Sequence, residues 1–238
     1  MKTQQPFPKI GTQHSMNFSD VDPSEIIFKQ NLFSSEFSEI FLVQIHNKIC
    51  VMKVHHDNGP VQPAPPERET NIHICESTAY RRLMKHGLCD RGIVPQFYGT
   101  MERMDVSHCQ PHLKMFLNDK NPPNAIFLEY IDKMEMIYPH NFTKKRGEAL
   151  IRGIQEIHRA LVLHCDAKPR NMMIVMNDPE RVVWLDFDRA QTYDADSHTE
   201  RQRRFIEDEE LMVSQFADSL EADHTRGEIR ETYLYYCT

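Results

Sequence analysis

Between His164 and Asn171 the chain reads His-Cys-Asp-Ala-Lys-Pro-Arg-Asn, and a short apolar run then leads to Asp186-Phe187-Asp188. Phosphoryl transfer asks little covalent chemistry of a protein. It needs a carboxylate beside the attacking hydroxyl, a carboxamide and a second carboxylate for metal ions, and positive charge against the phosphates. Asp166, Asn171 and Asp186 are of the right types for the first three. Asn171 follows Asp166 by five positions and opens an apolar segment, and Asp186 closes the next such run, residues 182–185. An isolated Asp-x-Asp is ordinarily a solvated turn. Here the order matters: His-x-Asp-x-x-x-x-Asn enters one candidate strand, and a metal-type carboxylate ends the next.

The positive charge has to come from elsewhere in the chain. Residues 39–54 have a β pattern: 40–45, a turn at His46-Asn47-Lys48, then 49–54, a hairpin that ends in Met52-Lys53-Val54. A lone lysine in an apolar strand ordinarily runs its stem out to water. Residues 57–66, with one glycine and four prolines, form a linker that is not helical. A helix is expected over 69–84, with Ile72, Cys75 or Glu76, Ala79 and Leu83 on related faces and a stop at Lys85-His86-Gly87. By itself Glu76, midway along it, is a solvated helix charge. Beside the strand that carries Lys53 it becomes the partner of an ion pair that positions phosphates.

The remaining elements carry these groups. Residues 94–101 and 125–131 are candidate strands, separated by a polar insertion at 102–124 that holds Pro111, Pro122 and Pro123. His108, Cys109 and His112 in that insertion lack a fourth ligand at any zinc spacing. A helix over 144–161 carries a stripe of Leu150, Ile151, Ile154, Ile157, His158 and Leu161. A hairpin follows, 172–176 and 181–185, about Asn177-Asp178-Pro179-Glu180, and it sets Asn171 and Asp186 at neighbouring strand ends. A last helix over 199–220 turns Phe205, Met212, Phe216 and Leu220 to the core, with Glu207 to Glu210 on its solvated side. The fold class is α+β: a tail at 1–22, an N-terminal lobe of sheet plus one helix at 23–131, and a shortened, mainly helical C-terminal lobe at 132–238.

Whole-chain properties exclude other functions. In 238 residues there are 35 acidic and 28 basic side chains, a net charge of −7 with no extended Lys/Arg block. Nucleic acid and anionic membranes are therefore poor partners. Residues 1–16 lack the apolar core of a secretory signal and no segment is apolar for a bilayer span, so a soluble, cytoplasmic protein is expected. The six cysteines are scattered rather than spaced as a disulfide scaffold, and are expected to be reduced, several of them buried. The polar start, broken by Pro6, Pro8 and Gly11, reads as a mobile tail with order beginning near Val21.

With Lys53, Glu76, Asp166, Asn171 and Asp186 in this order, the chain resembles the protein-kinase-like superfamily over about residues 23–220. It looks most like the small, minimal kinase-like proteins of filamentous fungi, with a general likeness to aminoglycoside phosphotransferases and to RIO-type or lipopolysaccharide kinases. The resemblance implies a two-lobed kinase-like fold and ATP- and magnesium-dependent transfer of a γ-phosphoryl to a hydroxyl. Lys53 would hold the α and β phosphates and Glu76 would orient it. Asp166 would be the base, Lys168 the γ-phosphate contact, Asn171 and Asp186 the magnesium ligands, and Glu129, Tyr130 and Ile131 the backbone hinge for adenine.

The departures also carry implications. The segment Leu32 to Ile40 aligns with the glycine-rich loop, yet Phe33, Ser35 and Ser38 replace its glycines, which makes close backbone approach to phosphate harder. Asp188 stands in place of the glycine of Asp-Phe-Gly, as in small-molecule phosphotransferases, and Cys165 in place of an arginine that would receive an activation-loop phosphate. About fifty residues follow Asp188, without an Ala-Pro-Glu motif, so the peptide-docking platform is largely missing and a small-molecule acceptor is modestly favoured over a protein. The acceptor pocket is expected from the insertion at 102–124 and the C-terminal segment. The competing reading is a pseudokinase that serves as a nucleotide-binding or scaffold module.

Overall fold

A computed structural model describes residues 18, 21–59, 65 and 67–237. Most of the expected tail and six of the ten residues of the expected linker lie outside the described residues. Phe18 lies within them and is buried, its ring against Tyr98 and Phe127.

The first part of the chain is a five-stranded antiparallel sheet of order β1-β2-β3-β5-β4, formed by β1 (Ile26–Ser34), β2 (Ser38–Ile45), β3 (Lys48–His55), β4 (Phe97–Met101) and β5 (Asn124–Glu129). The β2–β3 hairpin turns where the sequence places it, at His46-Asn47, with His46 in the left-handed region at φ 51°. Strand β1 was not legible. Its register with β2 slips between Phe28 and Gln30 and again between Asn31 and Phe33, and two bulges erase the alternation by which a strand is recognised. Helix α1 (Ile72–Lys85) starts on an Asn71 cap, whose side chain accepts from the Ile74 amide at 3.1 Å.

Strand parity divides this sheet into two buried faces. Cys50, Met52 and Val54 of β3 and Ala125 and Phe127 of β5 pack with Cys109, Leu113 and Phe116 of the 102–124 insertion. Val51 of β3 and Ile126 and Leu128 of β5 pack with Ala79, Tyr80 and Leu83 of α1 and with the core of the second half. Lys53 shares parity with Val51. The insertion, expected with the C-terminal segment to build an acceptor pocket, therefore packs on the face opposite Lys53.

The second half consists of β6 (Met134–Met136), α2 (Lys144–Arg159), β7 (Val162–Leu163), β8 (Met172–Val175), β9 (Asp178–Trp184), β10 (Gln191–Thr192), α3 (Glu200–Arg226) and α4 (Tyr233–Tyr236). Strands β6, β8 and β9 form one small sheet, and β7 pairs with β10. The β8–β9 turn is Met176-Asn177, tighter than the expected Asn177–Glu180 turn. Pro179 then falls within β9, an edge strand where a missing N–H costs nothing. Helix α2 closes on β9 at Gly153, where a Cβ would stand 2.6 Å from Trp184 Nε1. Helix α3 runs six residues past its expected end to Gly227, which ends it at φ 78°. The chain is thus α+β. Among the described residues no helix is long and apolar enough to cross a membrane.

Candidate functional site

Lys53 in β3 and Glu76 in α1 meet across the helix-covered face of the sheet. The ammonium lies 2.8 Å from Glu76 Oε2, 2.5 Å from Asp186 Oδ1 and 3.7 Å from Asp188 Oδ2. The same Glu76 oxygen receives His55 Nε2 at 2.8 Å. Lys53, His55 and Glu76 are buried, whereas the Asp186 side chain is 39 % exposed and is the open end of the group.

Asp166 and Asn171 form a second cluster on the loop between β7 and β8. Asn171 Nδ2 donates to the Asp166 carbonyl at 2.8 Å and to Asp166 Oδ2 at 3.0 Å. Arg170 Nη2 lies 2.8 Å from each Asp166 carboxylate oxygen. The short helical turn Pro169–Asn171 closes with the Asn171 amide on the Lys168 carbonyl at 2.9 Å. Lys168 is half-buried, and its amide donates to the Asp166 carbonyl at 2.7 Å.

Backbone bonds join the two clusters. The Leu185 amide donates to the Asn171 carbonyl at 3.0 Å, and His164 Nε2 lies 2.9 Å from the Leu185 carbonyl. His164 also contacts the Phe187 ring, which meets Tyr80 of α1 edge-on, and Tyr80 stacks on Phe97 of β4. Loop, Asp186 segment, helix and sheet therefore share one aromatic column. Asp186 and Cys165 both adopt positive φ, 64° and 62°. Non-glycine residues hold that region only where their surroundings fix it, a condition concentrated at functional sites.

The acids around Lys53 perturb one another. Burial alone would lower the Lys53 ammonium, but Glu76, Asp186 and Asp188 outweigh it and hold it above the ordinary lysine range. Burial raises the Glu76 carboxyl to about 7 against the pull of Lys53. Burial and the Asp186 charge raise Asp188 to about 6, while Lys53 overcomes burial to hold Asp186 low. Burial, then Lys53, keep His55 neutral. One ammonium thus faces three carboxylates. Such an excess of buried negative charge is relieved by protons or by a divalent ion.

The donors at hand are carboxylate oxygens and the Asn171 amide oxygen, since its Nδ2 is committed to Asp166. These are hard ligands that fit magnesium. Among the described residues no three His, Cys, Asp or Glu side chains form a ready cation cage. Magnesium does not need one, because it takes one or two carboxylates and completes its shell with phosphate and water.

The expected hinge begins at the last residue of β5. Glu129 pairs with Arg181 at 3.1 Å, and its amide donates to the Gln96 carbonyl at 2.8 Å; Tyr130 is exposed and Ile131 buried. The β1–β2 turn uses its own donors. The Ser35 amide bonds the Ser38 carbonyl at 3.0 Å, and the Phe37 and Ser38 amides bond Ser35 Oγ at 3.2 and 3.0 Å. His108, Cys109 and His112 do not converge: Cys109 Sγ faces the Pro23 carbonyl and the His112 ring stacks on Phe28.

Sequence reasoning missed three supporting residues. His55 is one. Glu209, expected on a solvated face, is buried, with its carboxylate accepting the His164 amide at 3.0 Å and the Cys165 amide at 2.8 Å and meeting His158 at 2.7 Å. The available signal was its phase, since Glu209 shares a stripe with Val213, Phe216 and Leu220. The third is Gln191, whose side chain exchanges two 3.0 Å bonds with the Glu69 backbone and ties the start of α1 to β10.

No protein-family model matches the chain. Among curated proteins it is similar to human "Myosin light chain kinase family member 4", at 25 % identity over 137 residues, 51 % of this chain and 35 % of that protein. The chain therefore spans about a third of the length of the relative it matches. The relationship is distant and kinase-like.

Proposed function

We propose that the chain is a two-lobed, kinase-like phosphotransferase that moves the γ-phosphoryl of magnesium-bound ATP to an acceptor hydroxyl. The observation that carries this reading is the position of the Lys53 ammonium, 2.8 Å from Glu76 and 2.5 Å from Asp186, across 133 residues of sequence. The distant likeness to a protein named as a kinase points the same way. In this reading residues 23–131 and 132–238 are the lobes, and the backbone of Glu129, Tyr130 and Ile131 receives adenine. The protein works in the cytoplasm, with no nucleic acid or membrane as partner.

Lys53, oriented by Glu76, bonds the α and β phosphates. Asp186 and Asn171 would hold magnesium, which would supply charge neutralisation on the transferring group. Asp166 takes the proton of the acceptor hydroxyl as its oxygen bonds to the γ-phosphorus and the bond to the ADP oxygen breaks. Lys168 faces the γ-phosphoryl. A small-molecule hydroxyl is the favoured acceptor, ahead of a protein side chain.

The β1–β2 turn favours a second reading. In a glycine-rich loop the backbone amides grip phosphate, and here those of Ser35, Phe37 and Ser38 are already engaged. A pseudokinase that serves as a nucleotide-responsive or scaffold module would keep the fold without turnover. Asp166→Asn separates the two. A phosphotransferase loses turnover by about two orders of magnitude or more while nucleotide affinity holds. If wild type and variant release ADP from magnesium-ATP at the same rate across an acceptor panel, the pseudokinase reading takes its place.

A further inference from the structure

The proposed base carries a contact that phosphoryl transfer does not require. Arg170 Nη2 donates to both Asp166 oxygens at 2.8 Å, and one of them, Oδ2, also receives Asn171 Nδ2 at 3.0 Å. The Asp166 side chain is 6 % exposed and that of Arg170 is 44 % exposed, so the guanidinium lies on the more open side of the carboxylate. The backbone beneath is fixed, because Pro169 opens a short turn that the Asn171 amide closes on Lys168. The long Arg170 side chain is the part that can give way.

A hydroxyl gives up its proton only within hydrogen-bond reach of the base. At Asp166 it meets oxygens already engaged by a charge-assisted donor, the stronger kind of hydrogen bond. A neutral acceptor offers nothing to offset the loss of that contact. An oxyanion does, because the planar guanidinium matches carboxylate or phosphate with two parallel donors. Lys168, two positions before Arg170, adds positive charge, and among the described residues its ammonium forms no ion pair. Lys168 and Arg170 thus put two basic side chains on the loop that carries Asp166, in a chain whose net charge is −7.

Resting on the phosphotransferase reading, we propose that Arg170 is an acceptor-recognition residue and that the acceptor is a hydroxyl compound bearing an oxyanion, phosphate or carboxylate, a few atoms from the hydroxyl. The anion draws the guanidinium off Asp166 and so uncovers the base as the correct acceptor arrives. In its absence Arg170 keeps Asp166 engaged, which also guards bound ATP against transfer to water.

The test is calorimetry in two stages. Magnesium and a non-hydrolysable ATP analogue are titrated first, and failure to bind here defeats the phosphotransferase reading itself. Glycerol 3-phosphate, glycerate, glycerol and 3-amino-1,2-propanediol are then titrated into the analogue-loaded protein. Either anionic probe should bind wild type at least about tenfold more tightly than glycerol, and Arg170→Gln should erase that preference. Which of the two binds better distinguishes phosphate from carboxylate. Arg170→Glu should reverse the order in favour of the amine, a gain that misfolding does not produce. Anionic probes that bind wild type no better than glycerol, or a preference that survives Arg170→Gln, would overturn the assignment.

Discussion

Glu76 Oε2 holds two donors at once, Lys53 Nζ and His55 Nε2, each at 2.8 Å. In the proposed complex, phosphate would draw the Lys53 ammonium toward the nucleotide while His55 would still fix the carboxylate. Replacing His55 with leucine conserves most of the volume and removes one charge-assisted bond from a fully buried acid. We expect His55→Leu to cost about 2 kcal/mol in urea unfolding and to weaken nucleotide binding, while His55→Gln retains a donor and loses less. An unchanged unfolding midpoint in His55→Leu would show that Glu76 does not depend on it. Lys53, Asp166, Asn171 and Asp186 were legible in the sequence because each is a polar group next to an apolar run at a fixed spacing. His55 was not legible. It is one of 13 histidines, and only the packing of a helix on a strand gives it a role.

The long helix α3 serves as an anchor for the loop that carries Asp166, the proposed base. Glu209 accepts the amides of His164 and Cys165, so the start of the Asp166 loop hangs from this helix rather than from its own neighbours. At the far end, fully buried Asp223 accepts the amides of Arg230, Glu231 and Thr232 at 2.9, 3.0 and 2.9 Å and the Thr232 hydroxyl at 2.8 Å. Burial works against its charge, but these bonds outweigh it and hold the carboxyl well below the ordinary value of 3.8. A depressed carboxyl contributes stability in full above its unfolded pKa and loses it as pH falls through the folded one. Wild type should therefore exceed Asp223→Asn by about 2–3 kcal/mol at neutral pH. The gap should narrow as denaturant melts are repeated from pH 4 downward, and a gap independent of acid would contradict this account. Glu209 escaped the sequence reading because an acid within an acidic run looks solvated, and helix phase alone sets it apart from Glu207; Asp223 escaped it because it lies past the expected end of the helix at residue 220. Strand β1 escaped it for another reason, since its two bulges break the period of two.

At the scale of the molecule, a sheet buried on both faces has divided its labour. The face under the 102–124 insertion is plain core, with Phe116, Leu113 and Cys109 against Met52 and Phe127. The other face presents Lys53 and His55 to α1 and, through Phe187 and His164, to the loop that holds Asp166. Strand and helix order was largely legible, from hairpin turns, caps and apolar stripes. The insertion's side of the sheet was not, because parity within β3 shows which residues share a face but not which loop covers it. This arrangement leaves one lysine among three carboxylates, with Asp186 at the open end. Nucleotide and magnesium should consequently bind together or not at all. Calorimetry of ATP and ADP, with and without magnesium, on wild type and Asp186→Ala tests this most directly. The account predicts nucleotide binding that requires magnesium and that Asp186→Ala abolishes; folded wild type that takes up no nucleotide at millimolar concentration, or Asp186→Ala that binds as wild type does, would contradict it.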